Sequence, residues 1–157
     1  MEVNQNDNFS RALNDLVETC KDGMKGYETA AENVNDPQLK AELSNLAQQR
    51  AQFVSELQSQ AQQYGISAQT DTTIESVAME AAGAVHRGWI NLKSAIAGNS
   101  NDAILSECEN GDAAALKTYE TALNAQGLPN EIRNIVEKQH SEILEAKNRL
   151  TTMKRSI

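Results

Sequence analysis

The chain has 157 residues, the size of one domain with its own core, and a formal net charge of −8. Aromatic residues make up only 4% of it, so we expect an all-α protein without strands, because residues that favour sheets are scarce. Negative charge and scattered basic residues disfavour nucleic-acid binding, and no stretch is apolar enough for a membrane span or a signal peptide, so we expect a cytoplasmic protein.

The N-terminal half predicts a short tail and two helices. Residues 1–9 are polar and should form a disordered tail before a single helical domain over residues 10–157, with Ser10 as the first N-cap. Apolar side chains then recur at alternating spacings of four and three, which indicates one buried helical stripe: Leu13, Val17, Cys20, Met24, Tyr27, Ala31 and Val34. Asp36 as N-cap and Pro37 at the first helical position begin the second helix.

The C-terminal half predicts three more helices. The third runs from a capping box that begins at Thr72 to Gly98, but Gly83 and Gly88 within it leave open whether it is continuous. Ser100 or Asn101 caps the fourth helix, and Pro129 begins the fifth. Short connections predict two antiparallel hairpins, the first helix with the second and the fourth with the fifth. The long third helix would join them as a crossover, which is the plan of a ferritin-like antiparallel four-helix bundle.

Four segments carry a resemblance to a known family. They are LNDLVETCKDGMKGYETAAENVNDPQLKAEL, LAQQRAQFVSELQ, HRGWINLKSAI and ILSECENGDAAALKTYETAL. They resemble a bacterial family of ferritin-like four-helix-bundle proteins catalogued as domain of unknown function 2383, over nearly the whole chain from Leu13 onward. The stretches around Cys20 and Cys108 are the most specific. The resemblance implies this fold and no established activity, and a fold alone does not carry a function.

Di-iron proteins of the ferritin-like fold supply one Glu from each of two helices and a Glu-x-x-His pair from each of the other two, all pointing inward. Here Glu137 and His140 form one such pair and Asp112 could stand for another ligand, but the remaining positions are neutral or missing. At about 100° per residue, Glu137 and His140 also lie off the apolar stripe of their helix. We therefore expect no cofactor, and keep as an alternative an iron or manganese site built from Asp112, Glu137, His140 and Glu109.

An arginine interrupts the apolar stripe of the second helix. Arg50 stands between Leu46 and Phe53 in that stripe, and a buried guanidinium must find anionic or carbonyl acceptors because an unpaired one is costly. Asp112 is the first candidate partner and Glu109 the second, which predicts a buried network where related folds keep a metal. The alternative is that Arg50 extends its charged end to the bundle surface.

Both cysteines are expected to be buried thiols. Cys20 and Cys108 lie on apolar stripes, and a disulfide is not expected because they diverge along the bundle axis. Gly23, Gly26 and Gly111 stand inside helices, where glycine is unfavourable, so they indicate close packing around the cysteines.

A group of three residues surrounds the single tryptophan. Trp89 is in phase with the apolar stripe of the third helix and should anchor that helix to the bundle. His86 and Arg87 project sideways, and with Trp89 they form a candidate docking patch for a protein partner or for self-association.

The sequence contains no Ser-His-Asp arrangement, phosphate-binding glycine loop or cofactor motif, so ordinary enzyme classes have no support. We expect a non-catalytic bundle with a degenerate metal site, acting through its surface as an accessory, assembly or stress-related protein. One alternative is an iron- or manganese-binding oxidative-defence protein. Another is a thiol-based redox sensor, which needs an accessible cysteine whose pKa is lowered.

Overall fold

The structure is a computed structural model, and it describes residues 5–65, 88–98 and 100–155. These residues form helices and short connections without any strand, so the all-α prediction is confirmed for them. None of these helices combines the length and apolar character that crossing a membrane requires. The helices are α1 (Gln5–Asn33), α2 (Pro37–Gln63), α3 (Leu92–Ala97), α4 (Asn101–Asn124) and α5 (Asn130–Arg155).

Two helix starts follow the predicted caps. The Oδ1 atom of Asp36 accepts a hydrogen bond from the backbone N–H of Gln38 at 2.7 Å, and Pro37 occupies the first helical position, where no N–H is needed. Ser100 caps α4 in the same way, because its Oγ accepts from the N–H of Ala103 at 3.3 Å. Local side-chain chemistry therefore sets where both helices begin.

α1 begins at Gln5, which is earlier than the predicted N-cap at Ser10. Phe9 explains the difference: it is 3% exposed and packs edge-on against Tyr64 near the end of α2, with ring centroids 5.7 Å apart. The buried stripe of α1 thus extends one turn further toward the N-terminus, and the predicted helix start is wrong. Residues 1–4 lie outside the described part, and the division into a tail and one domain stays a prediction.

The predicted third helix does not run unbroken to its end. Gly88 has a φ of +100°, a conformation that side chains other than glycine rarely adopt, and residues 88–91 form turns before α3 begins at Leu92. The sequence left open whether this helix is continuous at Gly88, and the structure shows a break there. Its first part, which includes His86 and Arg87, lies outside the described residues.

The four long helices pair as two antiparallel hairpins, α1 with α2 and α4 with α5. Residues 34–36 connect the first pair and residues 125–129 the second, so each pair turns back on itself through a short connection. The hairpins meet chiefly along α1 and α4. These two helices are antiparallel, because Cys20 contacts Tyr119 whereas Tyr27, further along α1, contacts Asp112, earlier in α4.

The chain passes from one end of the bundle to the other between α2 and α4. Tyr64, near the end of α2, contacts Phe9 at one end of α1. Asn101, at the start of α4, accepts a hydrogen bond through Oδ1 from the backbone N–H of Asn35, at the opposite end of α1. The two ends of this connection, Gly65 and Asn101, therefore lie at opposite ends of the bundle, and α3, which precedes Asn101, packs against α1 and α4.

Candidate functional site

A buried ion pair lies at the middle of the bundle, between two clusters of apolar side chains that fill its two ends. Arg50 of α2 is 1% exposed and Asp112 of α4 is 0% exposed. The Nη1 atom of Arg50 donates to Oδ1 of Asp112 at 2.7 Å. The structure thus brings together the two residues that the sequence suggested first, and Arg50 does not reach the surface as the alternative held.

Tyr27 completes the surroundings of this pair. Its hydroxyl donates to Oδ2 of Asp112 at 2.6 Å, and its ring lies under the guanidinium, with Cζ of Arg50 5.2 Å from the ring centroid. The Nε atom of Arg50 donates to Oε1 of Gln49 at 3.1 Å. Both carboxylate oxygens of Asp112 are therefore engaged by protein donors, while Nη2 of Arg50 makes no hydrogen bond within the described residues.

Gly23 of α1 lets the arginine side chain cross the core. A Cβ atom at position 23 would lie 3.3 Å from Nη1 of Arg50 and 3.4 Å from its Cγ, which is tighter than most side-chain contacts. The absence of a side chain here gives the guanidinium a path from α2 past α1 to Asp112 on α4. The close approach that the sequence indicated at Gly23 is thus to an arginine and not to a cysteine.

The electrostatics of the pair keep each group in the protonation state that the hydrogen bonds require. Burial acts to lower the pKa of Arg50, but the charge of Asp112, the effect of Tyr27, the hydrogen bond to Asp112 and a smaller effect of Cys20 together outweigh burial, so the pKa is raised above its ordinary value. Burial raises the pKa of the Tyr27 hydroxyl well above its ordinary value, and the charge of Asp112 adds to the effect. Arg50 therefore stays charged and Tyr27 stays a neutral donor.

A second buried polar group lies beside the first. The hydroxyl of Tyr119 donates to Oε1 of Gln139 at 2.7 Å, and Sγ of Cys20 lies 2.9 Å from the same hydroxyl oxygen. Since the phenol has one proton and gives it to Gln139, the Cys20 thiol is the donor to Tyr119. Burial raises the pKa of Cys20 to about 11 and that of Tyr119 well above its ordinary value.

Neither cysteine has the properties of a reactive thiol. Both are free, and Cys20 and Cys108 are 1% and 0% exposed. Burial raises the pKa of Cys108 well above its ordinary value, and the nearby charge of Asp112 raises it further. A redox sensor needs an accessible thiolate, so this arrangement disfavours the sensor alternative.

The candidate metal ligands are dispersed. Glu137 is exposed, and His140 of α5 lies beside Glu120 of α4, with 3.4 Å between Nε2 and Oε2. Neither is near the buried pair formed by Asp112. Across residues 5–65, 88–98 and 100–155, no three His, Cys, Asp or Glu side chains are grouped so that they could hold a metal ion.

Glu109, the second candidate partner of Arg50, belongs to a separate cluster between α4 and α5. Lys154 donates to its Oε1 at 2.7 Å and Thr151 to its Oε2 at 2.6 Å. Partial burial acts to raise the pKa of Glu109, but these two hydrogen bonds and the charges of Lys154 and Lys147 together outweigh burial, so the pKa is lowered. Glu109 therefore stabilises the α4–α5 hairpin and takes no part in the central pair.

Trp89 is buried between α1 and α4. It is 2% exposed, and its ring meets that of Tyr27 edge-on, with centroids 5.1 Å apart and an interplanar angle of 74°. A Cβ atom at Gly26 would lie 2.5 Å from the indole and one at Gly111 only 2.1 Å from it. We call this site, formed by Gly26, Tyr27 and Gly111, the Trp89 socket. The tryptophan anchors its segment in this buried position, and the docking patch, whose His86 and Arg87 lie outside the described residues, stays a prediction.

Comparison with known proteins gives one family. The model of the family described as domain of unknown function (DUF2383) matches residues 8–125, which is most of the chain. The chain belongs to this family. The match includes Arg50, Asp112 and the whole Trp89 socket, whereas Gln139 of α5 lies beyond the matched residues. No curated protein matches the chain.

Proposed function

We propose that this protein is a ferritin-like four-helix bundle with a degenerate metal site, acting through its surface as a non-catalytic accessory or assembly protein. The helix directions support the fold: two antiparallel hairpins are joined by a connection whose two ends lie at opposite ends of the bundle, and α1 is antiparallel to α4. The stress-related role, the bacterial origin and the cytoplasmic location expected from the sequence stay predictions.

The single observation that carries the proposal is the engagement of Asp112. A di-iron site of this fold needs four inward carboxylates to balance and bridge its ions. Here the carboxylate at mid-bundle gives one oxygen to Arg50 and the other to Tyr27. Binding of a divalent cation at this point would break both hydrogen bonds of Asp112. It would also place the cation beside the buried positive charge of Arg50. The donor set therefore does not fit a di-metal centre.

Metal titration tests this proposal. We expect the purified protein to contain no stoichiometric iron or manganese by elemental analysis, and Fe²⁺ or Mn²⁺ titration to give the same background for the wild type and for Asp112→Asn and Glu137→Ala. Tight binding by the wild type that either variant abolishes would overturn the proposal. The oxidative-defence alternative, with iron or manganese at Asp112, Glu137, His140 and Glu109, would then be preferred.

A further inference from the structure

We propose that Tyr27 couples the buried Arg50–Asp112 pair to the docking of a surface segment. We define the Trp89 segment as residues 88–98, which include α3. In this proposal the segment has a docked and an undocked state, and the state of the buried ion pair sets the balance between them. The inference does not depend on the proposed function, because it concerns how two parts of the described fold stabilise each other.

Among the described residues, the Trp89 segment is attached to the bundle mainly through Trp89 and Leu92, with Ala95 and Ile96 partly buried against the same core cluster. Trp89 and Leu92 are each 2% exposed, whereas Ile90 between them is 75% exposed. The backbone N–H of Asn91 donates to Oε1 of Glu107 at 3.4 Å, a long hydrogen bond. α3 has only 6 residues, too short to be stable by its own hydrogen bonds. A segment held in this way opens more readily than the long helices beneath it.

The socket fixes the indole tightly. Because added Cβ atoms at Gly26 and Gly111 would fall within 2.5 Å of the indole ring, the tryptophan rests directly on the backbone of α1 and α4. Gly88 is equally confined, since a Cβ there would lie 2.6 Å from the carbonyl oxygen of Asn110. The indole therefore has little room to adjust. If a side chain that lines the socket moves, the indole cannot shift to keep its contacts, and docking is weakened.

Tyr27 belongs to both the ion pair and the socket. Its hydroxyl is held by Oδ2 of Asp112 at 2.6 Å and its ring is covered by Arg50 at 5.2 Å, while the same ring packs against Trp89 at 5.1 Å. Asp112 and Arg50 thus determine where the ring lies. Loss of the acceptor at Asp112 frees the ring, and the coupling is reciprocal: undocking of Trp89 weakens the hydrogen bond to Asp112.

The coupling would let a change inside the bundle alter its surface. In the docked state the α1–α4 seam at Gly26 and Gly111 is covered by the indole. In the undocked state this apolar seam and the tryptophan are both exposed, so the protein presents a different surface to any partner.

Hydrogen–deuterium exchange of the full chain tests the coupling. We compare Tyr27→Phe and Asp112→Asn with Tyr119→Phe, a matched control that removes a buried hydroxyl from the Cys20–Gln139 group and leaves the socket unchanged. Peptides covering residues 88–98 should exchange about fivefold faster or more in the first two variants than in the control, a factor typical of coupled sites. Trp89, the single tryptophan, should also shift its emission to longer wavelength.

Peptides from α2 and α5 serve as the reference for global stability, so that opening of the segment is separated from general unfolding. If residues 88–98 exchange equally fast in Tyr27→Phe and Tyr119→Phe, the proposal is wrong. Tyr27→Phe keeps the ring and should fold, so this result remains decisive even if Asp112→Asn does not fold.

As a second check, the effects of Trp89→Leu and Tyr27→Phe on the free energy of unfolding should be non-additive, and additive effects would also contradict the coupling.

Discussion

At the scale of single residues, Arg50 is tolerated in the core because its neighbours together offset the loss of water. Asp112 supplies the countercharge, Gln49 an acceptor and Tyr27 an aromatic face, while Gly23 leaves the space. A buried pair of this kind does not by itself make a fold more stable than apolar residues would. Replacement of only one member of the pair, however, leaves the other charge in the core without a partner.

We therefore expect Arg50→Met and Asp112→Asn each to lower the free energy of unfolding by roughly 3–5 kcal/mol. The combination Arg50→Met with Asp112→Leu should cost much less than the sum of the single changes, because it leaves no unpaired charge. Urea denaturation measures these differences. The exposed pair of Glu42 and Arg149 is the control, and Glu42→Gln should cost below about 1 kcal/mol. Single costs as small as that of the control would show that the buried pair is not structurally important.

The sequence could predict Arg50 and Asp112 but not the rest of their surroundings. An arginine at a stripe position is conspicuous, and its helical phase points inward. Tyr27 also lies on a predicted stripe, but its role depends on which helices meet. The hydroxyl of Tyr27 finds its acceptor 85 residues away along the chain, a distance over which periodicity carries no information.

At the scale of the structural elements, the Trp89 segment depends on glycine in both helices below it. We expect Gly111→Ala to displace the indole, because the new Cβ would lie 2.1 Å from it, and to shift the tryptophan emission to longer wavelength. Gly98→Ala, at the end of the same segment, is the matched control, because its Cβ would meet only ordinary contacts at 3.6 Å. Equal emission spectra for the two variants would argue against a tight socket.

The start of α2 gives a second expectation at this scale. Asp36→Ala removes the acceptor for the N–H groups of Gln38 and Leu39 and should lower the free energy of unfolding by about 1 kcal/mol. Thermal denaturation measures the change. Ser55→Ala, at an exposed position within α2, is the control and should change stability by less than about 0.5 kcal/mol. A cost at Asp36 no larger than at Ser55 would mean that the cap contributes nothing.

Caps and periodicity predicted where α2 and α4 begin, but they failed at the start of α1 and left the continuity of the third helix undecided. α1 starts before Ser10 because one aromatic residue, Phe9, is buried among polar neighbours, and a single residue gives no periodic signal. Trp89 is in phase with the predicted third helix, so periodicity alone could not decide whether that helix continues through Gly88. The break depends on a positive φ that glycine permits but does not require.

At the scale of the whole molecule, two buried thiols and two buried phenols make the stability of the fold sensitive to alkaline pH. The pKa of Cys20 is raised to about 11, and the pKa values of Cys108, Tyr27 and Tyr119 are raised well above their ordinary range, in each case chiefly by burial. The unfolded chain therefore loses these protons at lower pH than the folded chain. Stability is fully present below about pH 8 and falls as the pH rises toward the folded-state pKa values.

We expect the free energy of unfolding, measured with urea at pH values from about 7 to 10.5, to decrease above about pH 9. Each group that is ionised only in the unfolded chain contributes about a tenfold change in the folding equilibrium constant per pH unit. Cys20→Ala removes one such group. The number of protons released on unfolding, which sets the slope of the decline with pH, should therefore be smaller by about one. The same slope in this variant and in the wild type would contradict the raised pKa of Cys20.

The location of the two charges on different hairpins also bears on how the chain folds. Arg50 and Tyr27 belong to the α1–α2 hairpin and Asp112 to the α4–α5 hairpin, and the two charged residues are 62 positions apart in the sequence. A hairpin that formed alone would keep its charge in water, because burial without the counterion is strongly unfavourable. Neutralisation of the charges and exclusion of water must then occur together when the hairpins associate. The ion pair thus makes late association of the two halves a cooperative step and disfavours compact intermediates in which only one half is packed.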